Sequence, residues 1–242
     1  MASALGKTAN CQTLVSLTLA RGEVPVMLAL RLFLPESWTS DRARLKRAGV
    51  PAEYRTARTK PEMTLAEIDR VIAAGVRFGC VLADAGYGLS APFRQGLTAR
   101  KLTWAVGIPR HLKVYPVDVK LIWPKAMRGR PRKRNIPDVL SIAAEDMLAD
   151  AKWKTVSWRN GTKGRLKARF AAVRVRTADG PPQRIWDKGQ QHLPGDEAWL
   201  IGEHRASGEK KYYLANLAAG MDLRSLAATI KARTFCEQAH QQ

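Results

Sequence analysis

Cysteine and long apolar runs are scarce in this chain of 242 residues. Its three cysteines, Cys11, Cys80 and Cys236, lie far apart and form no CxxC pair, which excludes a disulfide framework and a cysteine-rich zinc site. The longest apolar stretches, such as residues 24–30, are too short for a helix that crosses a bilayer. We therefore expect a cytoplasmic protein whose cysteines are reduced.

Acidic residues are scarce in the middle of the chain. The sequence has 41 Lys and Arg residues against 21 Asp and Glu residues, so its formal net charge is +20. Residues 101–134 hold ten cations and one acid, and residues 152–176 hold nine cations and no acid. These two stretches carry +18 of the +20, and the remainder is close to neutral. A polyanion is the expected partner, and nucleic acid fits better than a membrane because the chain has no long amphipathic basic helix.

The first half of the chain predicts alternating strands and helices around a folded core. Apolar alternation over residues 15–20 and an apolar run over 24–34 predict a hairpin, and Thr64 with Glu67 predicts a capping box for a helix that ends at Gly75. Apolar runs and helical spacing add a buried strand at 78–83, a helix at 91–101 and a buried strand at 102–108. This order predicts an α/β fold with a partly antiparallel sheet.

The second half predicts a loop, two further hairpins and a final helix. Residues 124–137 lack apolar periodicity and predict an exposed, mobile loop, followed by a short helix over 139–148. A basic hairpin is predicted over 153–176, with a β-bulge at Ala171 and Ala172 where the apolar parity changes. The remaining elements are a hairpin over 198–217 and a helix capped by Asp222, with Leu223, Leu226, Ala227 and Ile230 on its inward stripe.

Two carboxylates, Asp84 and Glu237, are candidates for chemistry. Asp84 follows a buried strand and precedes a glycine-containing turn, where it is either an ordinary cap or an active-site acid. Glu237 lies seven residues after Ile230 on the predicted stripe, and the alternative is a surface ion pair with Arg233. Two inward carboxylates in a basic protein suggest a Mg²⁺ or Mn²⁺ site that acts on phosphodiesters. Such a site normally takes more than two carboxylates, and no Asp or Glu lies upstream of Leu14.

Five sequence blocks are spread over nearly the whole chain: GKTANCQ at residues 6–12, LPESWTSD at 34–41, LADAGYG at 82–88, AVGIP at 105–109 and KARTFCEQ at 231–238. Together they resemble the DDE transposases of prokaryotic insertion sequences, the group labelled DDE superfamily endonuclease. The resemblance implies a ribonuclease H-like core with a β-rich insertion. It also implies that Asp84 and Glu237 are the second and third catalytic and metal-binding acids, with two Mg²⁺ or Mn²⁺ ions in the complete site.

The chain departs from the family pattern at both ends. In the family, the first catalytic Asp lies on a strand before the block at residues 6–12, and this chain begins after it. Arg233 and Glu237 match the C-terminal signature, with Arg233 in a supporting role, but Ile230 occupies its Tyr position. We therefore expect an incomplete core that lacks its first strand, and little or no cleavage by this polypeptide alone. The expected divisions are residues 1–110 for the N-terminal part of the core, 111–218 for a basic linker and β-rich insertion, and 219–242 for the helix with Glu237.

DNA is the partner that the resemblance implies, as transposon ends and as target. The hairpin cations alternate with Trp153, Trp158 and Phe170, which favours DNA backbone contact over a merely solvated strand face. The segment around Arg130 resembles a minor-groove AT-hook, with a phosphate-binding loop as the alternative. The predicted contact residues are Arg128, Arg130, Arg132, Lys133, Arg134, Lys154, Arg159, Lys163, Arg165, Lys167 and Arg169. Further expected partners are a second copy of the chain or a full-length transposase, and the alternative function is a non-catalytic DNA-binding remnant.

Overall fold

Two compact units make up the chain, residues 1–78 with 234–242 and residues 79–233. The computed structural model describes residues 12–22, 24–123, 134–161, 164–183, 185 and 191–234. Its strands are β1 (Thr13–Arg21), β2 (Val24–Phe33), β3 (Val81–Ala83), β4 (Trp104–Ile108), β5 (Lys113–Pro116), β6 (Leu121–Ile122), β7 (Ile136–Pro137), β8 (Ile142–Ala143), β9 (Lys154–Gly161), β10 (Gly164–Thr177), β11 (Glu197–His204) and β12 (Lys210–Ala215). Its helices are α1 (Glu36–Thr39), α2 (Arg42–Arg47), α3 (Lys60–Ala73), α4 (Ala85–Gly88), α5 (Ala91–Ala99), α6 (Ala144–Met147) and α7 (Leu223–Lys231), and Ala52–Tyr54 form a 3₁₀ turn.

The first unit contains a hairpin with a helix packed against it. β1 and β2 pair antiparallel along their whole length, which confirms the predicted hairpin. The turn between them contains Gly22 in the left-handed region, with φ of 61°, a conformation that favours glycine. α3 packs against both strands, and the buried side chains include Val15 on β1 and Ile68 and Val71 on α3.

The predicted start of α3 is wrong by five residues. The helix begins at Lys60, with Thr59 as the N-cap and Glu62 as its partner in the capping box. Thr64 lies inside the helix, where its hydroxyl donates to the carbonyl oxygen of Lys60. Both Thr59 and Thr64 precede a Glu by three residues, but only Thr59 is followed by a proline, Pro61, in the first turn, where proline fits best.

The second unit is built on a mixed sheet with the strand order β3-β4-β12-β11-β10-β5-β8, and β9 pairs with β10. β3 and β4 run parallel, and the other neighbouring pairs are antiparallel. All five residues of β4 are buried, as its apolar run predicts for a strand covered on both faces. This mixed α/β arrangement is compatible with the ribonuclease H-like core that the resemblance implies.

The final helix packs as the sequence predicts. Asp222 caps α7, since its Oδ1 accepts hydrogen bonds from two backbone N–H groups of the first turn. Leu226, Ala227 and Ile230 are buried in a hydrophobic cluster that also contains Phe170 of β10. α7 is therefore fixed on the sheet by the predicted apolar stripe.

Two predictions for the middle of the chain are wrong. Residues 139–148 do not form one helix, because Ile142–Ala143 pair with β5 and only Ala144–Met147 are helical. Ile136–Pro137, within the predicted mobile loop, pair with β6. Here long-range strand pairing overrides the local pattern, and it buries both residues of β7. The rest of that loop, residues 124–133, lies outside the described residues.

The hairpin of β9 and β10 is confirmed, but the β-bulge predicted at Ala171 and Ala172 is wrong. β10 pairs regularly with β11 through both residues. The apolar parity changes because Phe170 and Ala171 point to opposite faces of the sheet and both are fully buried. The irregularity lies instead in the pairing of β10 with β9, between Leu166 and Lys167.

Cys80 is a free thiol, and burial raises its pKa to about 11. The other two cysteines lie outside the described residues. Within the described ranges, none of the helices combines the length and the apolar character needed to cross a bilayer.

Candidate active-site acid and nucleic-acid interface

Asp84 follows the carboxyl end of β3, at the position expected from the sequence. Its Oδ1 accepts hydrogen bonds from the backbone N–H groups of Gly86 and Tyr87, at 2.9 and 3.2 Å. These bonds make Asp84 the N-cap of α4, which confirms the capping interpretation. The side chain is exposed, and Oδ2 takes no part in the two capping bonds. Its role as a catalytic acid stays a prediction.

Close backbone packing sets the position of this turn. A Cβ added to Gly88 would overlap the carbonyl oxygen of Gly107 in β4. A Cβ added to Gly107 would lie 3.0 Å from the backbone nitrogen of Ala85. Side chains at these positions would push α4 away from β4 and move the carboxylate of Asp84. Gly88 is therefore required by the contact between the two backbones.

A buried arginine connects the same turn to the segment after β10. Arg94 on α5 is 3% exposed. Its guanidinium donates hydrogen bonds to the carbonyl oxygen of Gly88 and to Oδ2 of Asp179, the latter at 2.5 Å. The side chain of Gln95 donates to the carbonyl oxygen of Asp179 at 2.8 Å. The turn that carries Asp84 thus depends on a contact between residues 85 positions apart in the sequence.

A buried carboxylate lies beside the end of α7. Glu203 on β11 is 1% exposed. It accepts hydrogen bonds from Lys231 Nζ and the Tyr213 hydroxyl, each at 2.8 Å, and from Arg205 Nε at 3.2 Å. Lys231 is the last residue of α7, and its ammonium lies 5.0 Å from the ring centre of Trp158. This cluster attaches the end of α7 to the sheet.

The surroundings of Glu203 keep it ionised. Burial opposes ionisation, but the hydrogen bonds from Lys231 and Tyr213 and the nearby cations outweigh it, so the pKa of this carboxyl lies below its ordinary value. Burial, followed by the charge of Glu203, raises the pKa of Tyr213 above its ordinary value. A carboxylate with these partners has a structural role.

The predicted helical stripe does not run unbroken to Glu237. α7 ends at Lys231, and residues 232 and 233 form a turn. The prediction assumed one continuous helix, because periodicity alone does not show where a helix stops. Arg233 is half-buried, and its charge acts on Tyr213. Glu237 lies outside the described residues, so its catalytic and metal-binding roles stay predictions.

The hairpin of β9 and β10 has one apolar face and one basic face. Val156 and Phe170 are buried in the cluster under α7. Arg165, Lys167 and Arg169 alternate along β10 with Leu166, Ala168 and Phe170, and all three cations are exposed. Their partners across the ladder are Asn160, Ser157 and Thr155, which are all polar. The predicted division of β10 into an apolar and a cationic face is therefore present.

A groove of about 600 Å³ lies beside β9. It brings together the arginines Arg159, Arg165 and Arg224 with two hydroxyl side chains and an amide, and no acid lines it. The lining residues are Thr155, Val156, Ser157, Arg159, Asn160, Arg165 and Arg224. Arg224 was not predicted, because only the packing of α7 on β9 brings it near the hairpin. The sequence indicates only that Arg224 lies on the outward side of the predicted final helix.

The other predicted DNA contacts divide into described and undescribed residues. Arg134 and Lys154 are exposed, and Lys154 lies opposite Phe170 at the start of β9. The segment that resembles an AT-hook lies outside the described residues, as do Arg128, Arg130, Arg132, Lys133 and Lys163. The contacts of those five residues stay predictions.

The described residues do not assemble a complete metal site. Mg²⁺ and Mn²⁺ prefer oxygen ligands, and the exposed carboxylate of Asp84 is of the right chemical kind. Among the described residues, however, no group of three or more His, Cys, Asp or Glu side chains lies close enough to hold an ion. One carboxylate is insufficient for a two-ion site, so we assign no metal-dependent step to this part of the chain.

The fold and the sites define a strongly basic α/β protein with an exposed acid after a parallel strand. Residues 1–165 match the family model described as DDE superfamily endonuclease, and because this is more than half of the chain, the protein belongs to that family. The match confirms the resemblance to DDE-type enzymes. It includes Asp84 and β9 and ends before α7. A search of the curated proteins found no match.

Proposed function

We propose that this protein is a DDE-type transposase polypeptide and binds DNA through the hairpin of β9 and β10. Its family consists of transposase-like nucleases, for which DNA is the substrate. The observation that carries the proposal is the exposed row of Arg165, Lys167 and Arg169, in a stretch of 25 residues without an acid. Side chains on one face of a strand repeat about every 6.7 Å, so long cationic side chains reach successive phosphates of a DNA strand.

The arginine groove beside β9 supports this proposal. Guanidinium groups bind phosphate through paired N–H donors, and Arg159, Arg165 and Arg224 supply three of them. The hydroxyls of Thr155 and Ser157 add neutral donors. Such contacts fix the position of the DNA backbone without reading its sequence.

We further propose Asp84 and Glu237 as acids of the family's divalent-metal site, with Mg²⁺ or Mn²⁺ as the ion. Asp84 and Glu237 would hold the ion, which would supply activation of water or a 3′-hydroxyl and stabilisation of the leaving oxygen. Residues 111–218 are the proposed β-rich insertion, and 1–110 and 219–242 the flanking parts of the core. Among the described residues only one acid of this proposed site, Asp84, is present, and we propose that the polypeptide alone binds DNA with little or no strand cleavage.

Salt-dependent binding of the full chain to a labelled duplex tests the DNA-binding proposal. Fluorescence anisotropy between 50 and 200 mM salt gives the slope of log K against log salt. The triple variant Arg165→Gln/Lys167→Gln/Arg169→Gln should reduce the steepness of this slope by about 2.7, at about 0.9 per phosphate contact. The charge-matched control Arg21→Gln/Arg77→Gln/Lys113→Gln removes three other exposed cations and should leave the slope near wild type. Equal slopes for the two variants, or no binding by the wild type, would contradict the proposal.

Nicking of a supercoiled plasmid in the presence of Mg²⁺ or Mn²⁺ tests the expected inactivity. Metal-dependent nicking that Asp84→Asn abolishes would show that the polypeptide is active alone. Binding that is independent of Mg²⁺ and unchanged in Glu237→Ala would favour the alternative of a non-catalytic DNA-binding remnant. Sedimentation with a full-length family member tests association with a complete transposase.

A further inference from the structure

A third concentration of cations lies in the first unit. Residues 42–60 contain seven Lys or Arg residues and one acid, a net charge of +6. Outside the two long basic stretches the chain is close to neutral in total, because acids elsewhere offset the positive charge of this segment. Its densest part is α2, where four of the six residues are cationic.

α2 displays its cations to solvent. Leu45 is completely buried and anchors the helix, whereas Arg42, Arg44, Lys46 and Arg47 are all exposed. Three of the four lie in the last turn, where a cation is favourable next to the helix dipole. That dipole corresponds to about half a unit charge, so it does not account for a cluster of four cations.

One cation of α2, Arg44, is held by a neighbouring side chain, and the charges of the other three are not neutralised by an ion pair among the described residues. The guanidinium of Arg44 stacks 3.8 Å from the ring centre of Trp38. Asp41, the nearest acid in the sequence, caps α2 by accepting from the backbone N–H of Arg44. Within the described part of the chain, the side chains of Arg42, Lys46 and Arg47 form no ion pair. Their charge is therefore available to an external anion.

We propose that the α2 patch (Arg42, Lys46 and Arg47) is a second contact surface for the DNA backbone, distinct from the hairpin of β9 and β10. The proposal rests on the proposed function, since it takes DNA as the polyanion. Three exposed cations on one short helix, unpaired among the described residues, match the requirement for phosphate contact, which is local positive charge without competing acids. The contact positions DNA on the first unit and is independent of base sequence.

The test uses the full chain and the same duplex-binding measurement. The variant Arg42→Gln/Lys46→Gln/Arg47→Gln should reduce the steepness of the slope of log K against log salt by about 2.7. The ratio of the wild-type binding constant to that of the variant should then fall about 40-fold between 50 and 200 mM salt. The charge-conserving variant Arg42→Lys/Arg47→Lys should keep the wild-type slope. Thermal melting of each variant checks that the fold is intact.

The outcomes separate this inference from the proposed function. If the hairpin variant loses slope and the α2 variant behaves like the Arg21/Arg77/Lys113 control, the α2 patch is not a DNA contact and the proposed function stands. If both variants lose slope and the losses add when they are combined, both surfaces hold DNA in the same complex. If the wild-type chain does not bind DNA, both proposals are wrong.

Discussion

Replacing Glu203 with Gln tests how the end of α7 is held. The substitution keeps the shape of the side chain and an acceptor for Tyr213, but it removes the negative charge that faces Lys231 and Arg205. The Lys231 side chain is only 15% exposed and that of Arg205 34%, so neither cation is fully solvated. Breaking a buried ion pair on one side typically costs about 3 to 5 kcal/mol, and because Arg205 is partly exposed we expect a loss of about 3 kcal/mol.

Urea unfolding followed by far-UV circular dichroism measures this loss. Glu209→Gln is the matched control, because Glu209 also pairs with Arg205 but its side chain is 50% exposed. The control should change the free energy of unfolding by less than about 0.5 kcal/mol. Equal effects of the two substitutions would refute the view that Glu203 anchors α7. A double-mutant cycle of Glu203→Gln with Lys231→Met should give a coupling energy of about 1 to 3 kcal/mol.

The same carboxylate predicts a pH dependence of stability. Because the pKa of Glu203 in the folded protein lies below its ordinary value, its contribution is complete above the ordinary glutamate pKa of about 4.3 and disappears as the pH falls through the folded-state pKa. Glu203→Gln should therefore lower the stability near pH 6 and make it less sensitive to acid below about pH 4.3. A stability profile with the same acid limb in both proteins would contradict this assignment.

Three further substitutions test the surroundings of Asp84, and urea unfolding measures each one. Gly88→Ala should cost about 3 kcal/mol or more, because the new methyl group overlaps the backbone carbonyl of Gly107; a loss below about 1 kcal/mol would contradict that contact. Asp84→Ala should cost about 1 kcal/mol through the lost cap, whereas Asp84→Asn keeps an acceptor and should stay within about 0.5 kcal/mol. A loss in Asp84→Asn as large as in Asp84→Ala would contradict the view that the cap needs only a hydrogen-bond acceptor and not a negative charge. Arg94→Met should cost about 3 kcal/mol by leaving Asp179 without its buried partner, and Asp179→Asn in the same protein should recover part of that loss.

Local sequence patterns predicted the elements whose signals do not depend on distant residues. The hairpin of β1 and β2 follows from the alternation in β1 and the apolar run of β2, and the start of α7 follows from the side chain of Asp222. The basic face of β10 follows from alternation as well. In each case the pattern lies in neighbouring residues of one segment, so the local sequence contains the signal.

Other features depend on contacts that local patterns do not contain. Thr59 and Thr64 offer equivalent capping signals, and the position of a proline decides between them. The sequence does not distinguish Glu203 from other strand residues, because its partner Lys231 lies 28 positions further along the chain and only the fold brings the two together. Arg224 reaches the hairpin groove only because α7 packs on β9. Long-range pairing therefore sets what the sequence pattern leaves open.

Lysine acetylation in the presence and absence of duplex DNA, read by mass spectrometry on the full chain, tests the hairpin as the DNA-binding surface most directly. Lys167 lies in the centre of the basic face of β10 and is exposed, and Lys101, also exposed, is the internal reference. We expect bound DNA to slow the acetylation of Lys167 strongly and to leave that of Lys101 unchanged. If DNA binds and Lys167 reacts as fast as in the free protein, the hairpin of β9 and β10 is not where this protein holds DNA.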